Sequence, residues 1–173
     1  DHATGPGMVG GVGLTDTELR EQMAAVDDAR EEFTADVTLL HGVETNIDAA
    51  GGLSTGDGVL AELDVVVASP HAALGQDRET ATDRLVRAVE HPSVDVLGHP
   101  TGRLIAEREG LNPDVERVAA AASDGDASLA RYSRKVTSTR ARTGTPLGRN
   151  FVNRLSARSR TAVKSGSSPP PTA

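Results

Sequence analysis

Glu44, His71 and His99 are separated by 27 and 28 residues. Each closes a short run rich in apolar and β-branched residues: VTLLHGVE at 37–44, LDVVVASPH at 63–71 and VDVLGH at 94–99. A carboxylate and two imidazoles, without any thiolate, form a donor set suited to Zn²⁺, Mn²⁺ or Fe. A divalent ion held there would lower the pKa of bound water and polarise a phosphoryl oxygen. One histidine at a strand end is more often structural than catalytic. Three ligand-type residues at successive strand ends are much harder to assign to chance. Arg103, four residues beyond His99, offers a planar guanidinium for bidentate phosphate recognition. A salt bridge to Glu107 is an equal alternative. His41, inside the first run, reads as a packed or hydrogen-bonded side chain, and His91, before Pro92, as a solvated one. Asp1 and His2 cannot be judged from pattern.

The elements that must position these residues follow from periodicity. Thr15 and Glu18 form a capping box, and Leu19, Met23, Val26 and Arg30 mark one face of the helix that follows. TGPGMVGGVGL at 4–14 reads as a loop. The three runs read as strands, the first ending at Glu44. The solid apolar stretch in the second predicts burial on both faces. GDGVLAEL is a helical turn. Residues 78–90 predict a helix with Leu85, Val86 and Val89 inward, and NPDVERVAAAA at 112–122 a helix with Pro113 in its first turn. Strands alternating with helices argue for parallel βαβ units. In parallel α/β sheets and barrels, sites form at the C-terminal ends of strands, so all three candidate ligands can share one rim.

Bulk properties bound the rest. The 173 residues suffice for one domain. With 2% aromatic residues, the core must be built from Val, Leu, Ala and Ile. The chain has no cysteine, which excludes disulfides and thiolate metal sites. No apolar run is long enough to cross a bilayer and no secretory signal is evident, so a cytoplasmic location is expected. Net charge hides a sharp break. Residues 1–126 carry all 25 acidic residues against eight arginines and no lysine, or −17, whereas residues 127–173 carry ten basic residues and no acid. An acidic, lysine-free body suits a salt-rich, halophilic cytoplasm, and a GC-rich genome accounts for the missing lysine equally well. The expected organisation is therefore a folded unit over 1–126 and a basic, low-complexity, disordered tail over 127–173. Such a tail either contacts nucleic acid or has no evolved role, and the second reading carries more weight.

Several stretches resemble a known family: DH at 1–2, GVETNI at 42–47, LDVVVASPHAAL at 63–74, TDRLVRAVEHPSVDVLGHPTGRLIAEREG at 82–110 and the NPDVERV helix. They are similar to the PHP (polymerase and histidinol phosphatase) domain, above all to its version at the C-terminus of bacterial and archaeal family X DNA polymerases. The resemblance covers residues 1–123. It implies a distorted (β/α) barrel, partial here, with up to three divalent metal ions and fewer in this chain, Mn²⁺ or Zn²⁺. It also implies phosphoesterase and 3′-to-5′ exonuclease activity, a setting in DNA repair, and DNA 3′ ends or a phosphorylated small molecule as partners. Motif by motif, His2 matches the histidine of Thr-Asp-His, Glu44 the glutamate of Gly-x-Glu, His71 the histidine of Ser-x-His and His99 that of Gly-His-Pro. Asp1 matches the aspartate beside the first and is a weaker ligand candidate. Arg103 is the expected phosphate holder. The family's opening His-x-His and late Asp-x-His motifs are absent. The chain therefore reads as a truncated copy whose tail a frameshift would explain, with two exposed sheet edges open to association. The alternatives are a phosphomonoesterase of the histidinol-phosphate type and an inactive remnant or interaction module.

Overall fold

The computed structural model describes residues 1–7, 13–32, 38–125 and 127–129. The first helix, α1 (Asp16–Glu32), starts at the expected capping box. The Thr15 N–H donates to Glu18 Oε2 at 2.8 Å, and the Glu18 N–H donates to Thr15 Oγ1 at 3.3 Å. Leu19 is fully buried and Met23, Val26 and Arg30 are half-buried on the same face. Then follow β1 (Gly42–Asn46), the single turn α2 (Asp57–Leu60), β2 (Val65–Ser69), α3 (Arg78–Val89), β3 (Val96–Leu97), α4 (Val115–Asp124) and β4 (Ser128–Leu129). The helices α3 and α4 begin on side-chain caps, Asp77 accepting from the Thr80 N–H and Asp114 from the Arg117 N–H, the usual way to satisfy an orphan N–H. Pro113 stands before the Asp114 cap, two positions ahead of the helix whose first turn it was expected to occupy. There its missing N–H costs nothing.

The strands form one sheet in the order β1-β2-β3-β4 with every neighbouring pair parallel. Gly42 to Asn46 align with Val65 to Ser69, and Val67–Ala68 with Val96–Leu97. The βαβ alternation expected from sequence is thus present, as an open α/β sheet among the described residues. Residues 1–3 extend it beyond β1. The Ala3 N–H donates to the Glu44 carbonyl and the Glu44 N–H to the Asp1 carbonyl, and Leu14 bridges Ala3 in turn. The β1 edge expected to be free is therefore covered by the chain's own first residues. β4 falls inside the segment expected to be disordered and pairs with β3. The remainder of that tail, from residue 130, lies outside the described residues.

One face of the sheet carries the core. Val43, Val66, Ala68, Leu97 and Val94 pack with Leu19, Leu60, Leu63, Leu85, Ala88, Val89, Val118 and Ala122. Full burial of a leucine such as Leu85 stabilises by about 1.5–3 kcal/mol. The opposite face follows from the two-residue period of a strand: Gly42, Glu44 and Asn46 on β1, Val65, Val67 and Ser69 on β2. Val65 and Val67 are only half-buried, so β2 is not covered on both sides as its apolar run suggested. This second face holds a shallow cavity of about 270 Å³ lined by Asp1, His2, Gly42, Glu44, Val65 and Val67.

The first strand differs most from expectation. It runs over 42–46 instead of 37–44, which puts Glu44 at its centre and His41 just before it. Leu39 and Leu40, whose apolar character suggested strand, are each 38% exposed. The Leu39 carbonyl is taken up by the Arg30 guanidinium at 2.9 Å and not by a neighbouring strand.

Candidate metal centre

Glu44 projects from the middle of β1 onto the face that the core leaves uncovered. His71 lies two residues beyond β2 and His99 two residues beyond β3, where a parallel sheet gathers its loops. His2 arrives from the segment paired alongside β1. All four side chains meet at the Glu44 carboxylate. Its Oε2 is 3.2 Å from His2 Nε2, and its Oε1 is 2.9 Å from His99 Nε2 and 3.4 Å from His71 Nε2. The ring centroids of His2 and His71 are 5.9 Å apart and those of His71 and His99 5.0 Å. One donor atom each from His2, Glu44 and His71 lies within 4.8 Å of the others. These spacings let one divalent ion reach all three with small side-chain rotations, and the nitrogen and oxygen donors are those Zn²⁺ and Mn²⁺ accept. The residues present therefore fit a bound metal.

Local backbone choices aim the ligands. His99 has φ of 22°, in the left-handed region that non-glycine residues seldom enter. A Cβ on the preceding Gly98 would lie 2.3 Å from Ser69 Oγ. The glycine lets the two strand ends close together under the site. Behind the metal-facing atoms lies a second layer. Asn46 is fully buried. Its Oδ1 contacts His71 Nδ1, and its Nδ2 donates to the Ala3 carbonyl at 3.0 Å and to Ser54 Oγ at 3.4 Å.

Electrostatics suit the same role. Burial alone would raise the Glu44 carboxyl, but the nearby Ser69 hydroxyl and the positive charge available on His2 and His99 outweigh it, and Glu44 titrates below the usual carboxylate range. Ser69 Oγ is buried, lacks a hydrogen-bond partner of good geometry and lies close enough to act on this carboxylate. His71 is pushed below the ordinary imidazole value, first by burial, then by the neighbouring charge of His99, with further contributions from His2 and Arg108. A low value keeps the ring neutral, the form a metal ligand requires.

The remaining candidates separate. The Asp1 carboxylate accepts from Gln22 Nε2, so a partner on α1 occupies it. Arg103 is exposed, and among the described residues it pairs with no carboxylate, Glu107 included. Arg108, not singled out from sequence, donates from Nε and Nη2 to the Gly102 carbonyl at 3.0 and 2.6 Å, and its charge is felt at His71. His41 is buried with Nε2 2.7 Å from Gln22 Oε1, as a packed, hydrogen-bonded histidine should be. His91 is half-buried, not solvated. It accepts the Ser93 N–H on Nδ1 and faces Asp57 through Nε2.

Arg84 was also missed. It is 1% exposed, and its guanidinium donates to the carbonyls of Ile47, Ala72 and Ala73 and to Gln76 Oε1. It thereby ties the loop after β1 to the loop that carries His71. An arginine beside Asp83 reads from sequence as part of a solvated face, although its spacing from Ala81 and Ala88 puts it on the inward stripe of the helix.

No family model matches the chain. It is similar to the DNA polymerase/3′-5′ exonuclease PolX of Bacillus subtilis, 39% identical over 106 residues, which is 61% of this chain and 18% of that protein. It is also similar to a probable phosphatase of Thermoanaerobacter sp., 41% identical over 68 residues, 37% of this chain and 28% of the relative. A probable phosphatase of Caldanaerobacter subterraneus is 36% identical over 92 residues, 51% of this chain and 34% of the relative. The chain thus spans between about a fifth and a third of the length of these curated relatives. The matches support a PHP-type domain related to family X polymerases.

Proposed function

We propose that residues 1–125 form part of a metal-dependent phosphoesterase site of the PHP type, in an incomplete (β/α) barrel. His2, Glu44, His71 and His99 would hold one divalent ion, Mn²⁺ or Zn²⁺. The observation that carries this reading is the convergence of three imidazole Nε2 atoms, from three separate segments, on one carboxylate at 2.9–3.4 Å. A bound divalent ion would supply Lewis-acid polarisation of a phosphoryl oxygen and a more acidic water. The chain's own contribution is to fix the donors, keep His71 neutral and place the charge of Arg108 nearby. Arg103, unpaired with any described carboxylate, is the group available to a substrate phosphate. Arg108 is engaged at the Gly102 carbonyl and acts through its charge.

The substrate follows from the relatives. PolX carries a 3′-5′ exonuclease by name, and the GHPTGR stretch lies in the part of the chain that resembles it, so cleavage at DNA 3′ ends is the leading reading. The probable phosphatases favour the second, hydrolysis of a small phosphomonoester. The purified chain, loaded with Mn²⁺, is to be analysed for bound metal and assayed on a 3′-labelled oligonucleotide and on a small phosphomonoester, beside His71→Ala. Metal bound near one equivalent and oligonucleotide cleavage, both lost in His71→Ala, are expected. Turnover of the small ester alone selects the second reading. Equal turnover in the two proteins, or none in either, removes the catalytic reading and leaves an inactive or binding module.

A further inference from the structure

Asn46 occupies a position that decides which nitrogen of His71 faces the ion. Its side-chain amide is fully buried and both ends are engaged. The Ala3 carbonyl, 3.0 Å from one end, can only accept a hydrogen bond, so that end must be the NH₂ group. The other end, against His71 Nδ1, is then the carbonyl oxygen and can only accept. His71 Nδ1 must therefore carry the proton. A neutral imidazole has one N–H, which leaves the lone pair on Nε2, the atom 3.4 Å from Glu44 Oε1. Two lone pairs facing each other at that distance attract no bond between themselves and leave room for a cation.

We propose that Asn46 is a positioning residue that fixes the His71 tautomer and, through the Ala3 carbonyl, holds the segment bearing His2 in the same register. Two of the four donors thus answer to one side chain that never touches the ion. A Cβ on Gly5 would lie 2.6 Å from Asn46 Nδ2, and the Asn46 N–H donates to Ser54 Oγ at 3.1 Å. Packing therefore holds the amide in place, and the Ala3 carbonyl decides which of its ends is the NH₂ group. The inference rests on the metal-centre reading for its consequence but not for its test.

The test is a nitrogen-15 NMR spectrum of the histidine rings in the full chain without metal, above pH 7.5, with Zn²⁺ affinity measured separately by competition with a chelator. In the unaltered protein His71 should be protonated on Nδ1. Asn46→Asp, which keeps an acceptor facing the ring, should preserve that signature. Asn46→Leu, which keeps the bulk and removes the acceptor, should shift the proton toward Nε2. It should also weaken Zn²⁺ binding about 10–100-fold, the usual effect of losing an outer partner of a ligand histidine. A His71 protonated on Nε2 in the unaltered protein overturns the assignment, and this holds even if Asn46→Leu does not fold. An unchanged tautomer in a folded Asn46→Leu also overturns it. A protein with the expected tautomer that binds no Zn²⁺ sinks the metal centre and leaves Asn46 in its role.

Discussion

Glu44 is the residue on which the site turns, because each of its two oxygens already faces imidazole nitrogen. Removing its charge while keeping its shape isolates that contribution. Glu44→Gln should weaken Zn²⁺ binding by more than the roughly 10–100-fold typical of an outer-shell change, as read by chelator competition, with its melting temperature reported alongside. Unchanged affinity would mean that the histidines alone hold the ion. Gly98 tests the closeness of the strand ends. A Cβ there would meet Ser69 Oγ at 2.3 Å and Val67 Cγ1 at 2.8 Å. Gly98→Ala should therefore cost about 1–3 kcal/mol of overpacking, measured by urea unfolding, and the displaced Ser69 should perturb Glu44. The residues that pattern could name were those whose chemistry is conspicuous, Glu44, His71 and His99, whereas His2 came only from the family resemblance. Asn46 escaped because an amide carries no charge and ligates poorly. Its role appears only when the geometry shows an acceptor-only neighbour at one end. Between two arginines five positions apart, pattern favoured Arg103, and only the fold shows Arg108 turned back on the Gly102 carbonyl.

Among the elements, α3 has the greatest structural consequence. Its inward face buries Ala81, Leu85, Ala88 and Val89 completely. Leu85→Ala should cost about 2–5 kcal/mol in chemical denaturation. Val115→Ala, at a position 62% exposed on α4, should change stability by no more than about 0.5 kcal/mol. Comparable losses at both positions would mean that the core is not centred where these burials put it. The helices were legible from sequence because a 3.6-residue period and the Thr15–Glu18 box are local signals, while the Asp77 and Asp114 caps, equally local, were not read and the last helix was started too early. The first strand was legible only in part. An apolar run does not say where hydrogen-bonded pairing begins, and the Arg30 contact that diverts Leu39 joins positions nine apart through a long side chain.

Over the whole molecule, protonation should act in one direction. Asp77, Asp114, Asp48 and Glu18 titrate below their ordinary values, chiefly because N–H and O–H donors of Thr80, Arg117, Gly52 and Thr15 hold their charged forms. A carboxylate with a depressed folded value contributes stability above its unfolded value and loses it as pH falls through the folded one. His41, lowered from an ordinary 6.5 mainly by burial, has the same sign, since the unfolded chain takes up its proton first. The urea midpoint should therefore decline in two steps, one setting in as pH falls below the ordinary imidazole value and a second below the carboxylate range. A midpoint that stays level from pH 8 to 3 would contradict these assignments. The parallel α/β character was readable from alternation. The uneven cover of the sheet was not, because periodicity reports which side chains prefer burial and not whether a second layer is there to bury them.

Arg84 has one more implication. The carbonyls of Ile47, Ala72 and Ala73 that it gathers belong to the backbone, which every residue type supplies alike. The instruction for the shape of those two loops is therefore written on a helix, 11 to 37 residues along the chain from where it is obeyed. A library randomised at position 72 should return many working sequences, while one randomised at position 84 should return almost none but arginine.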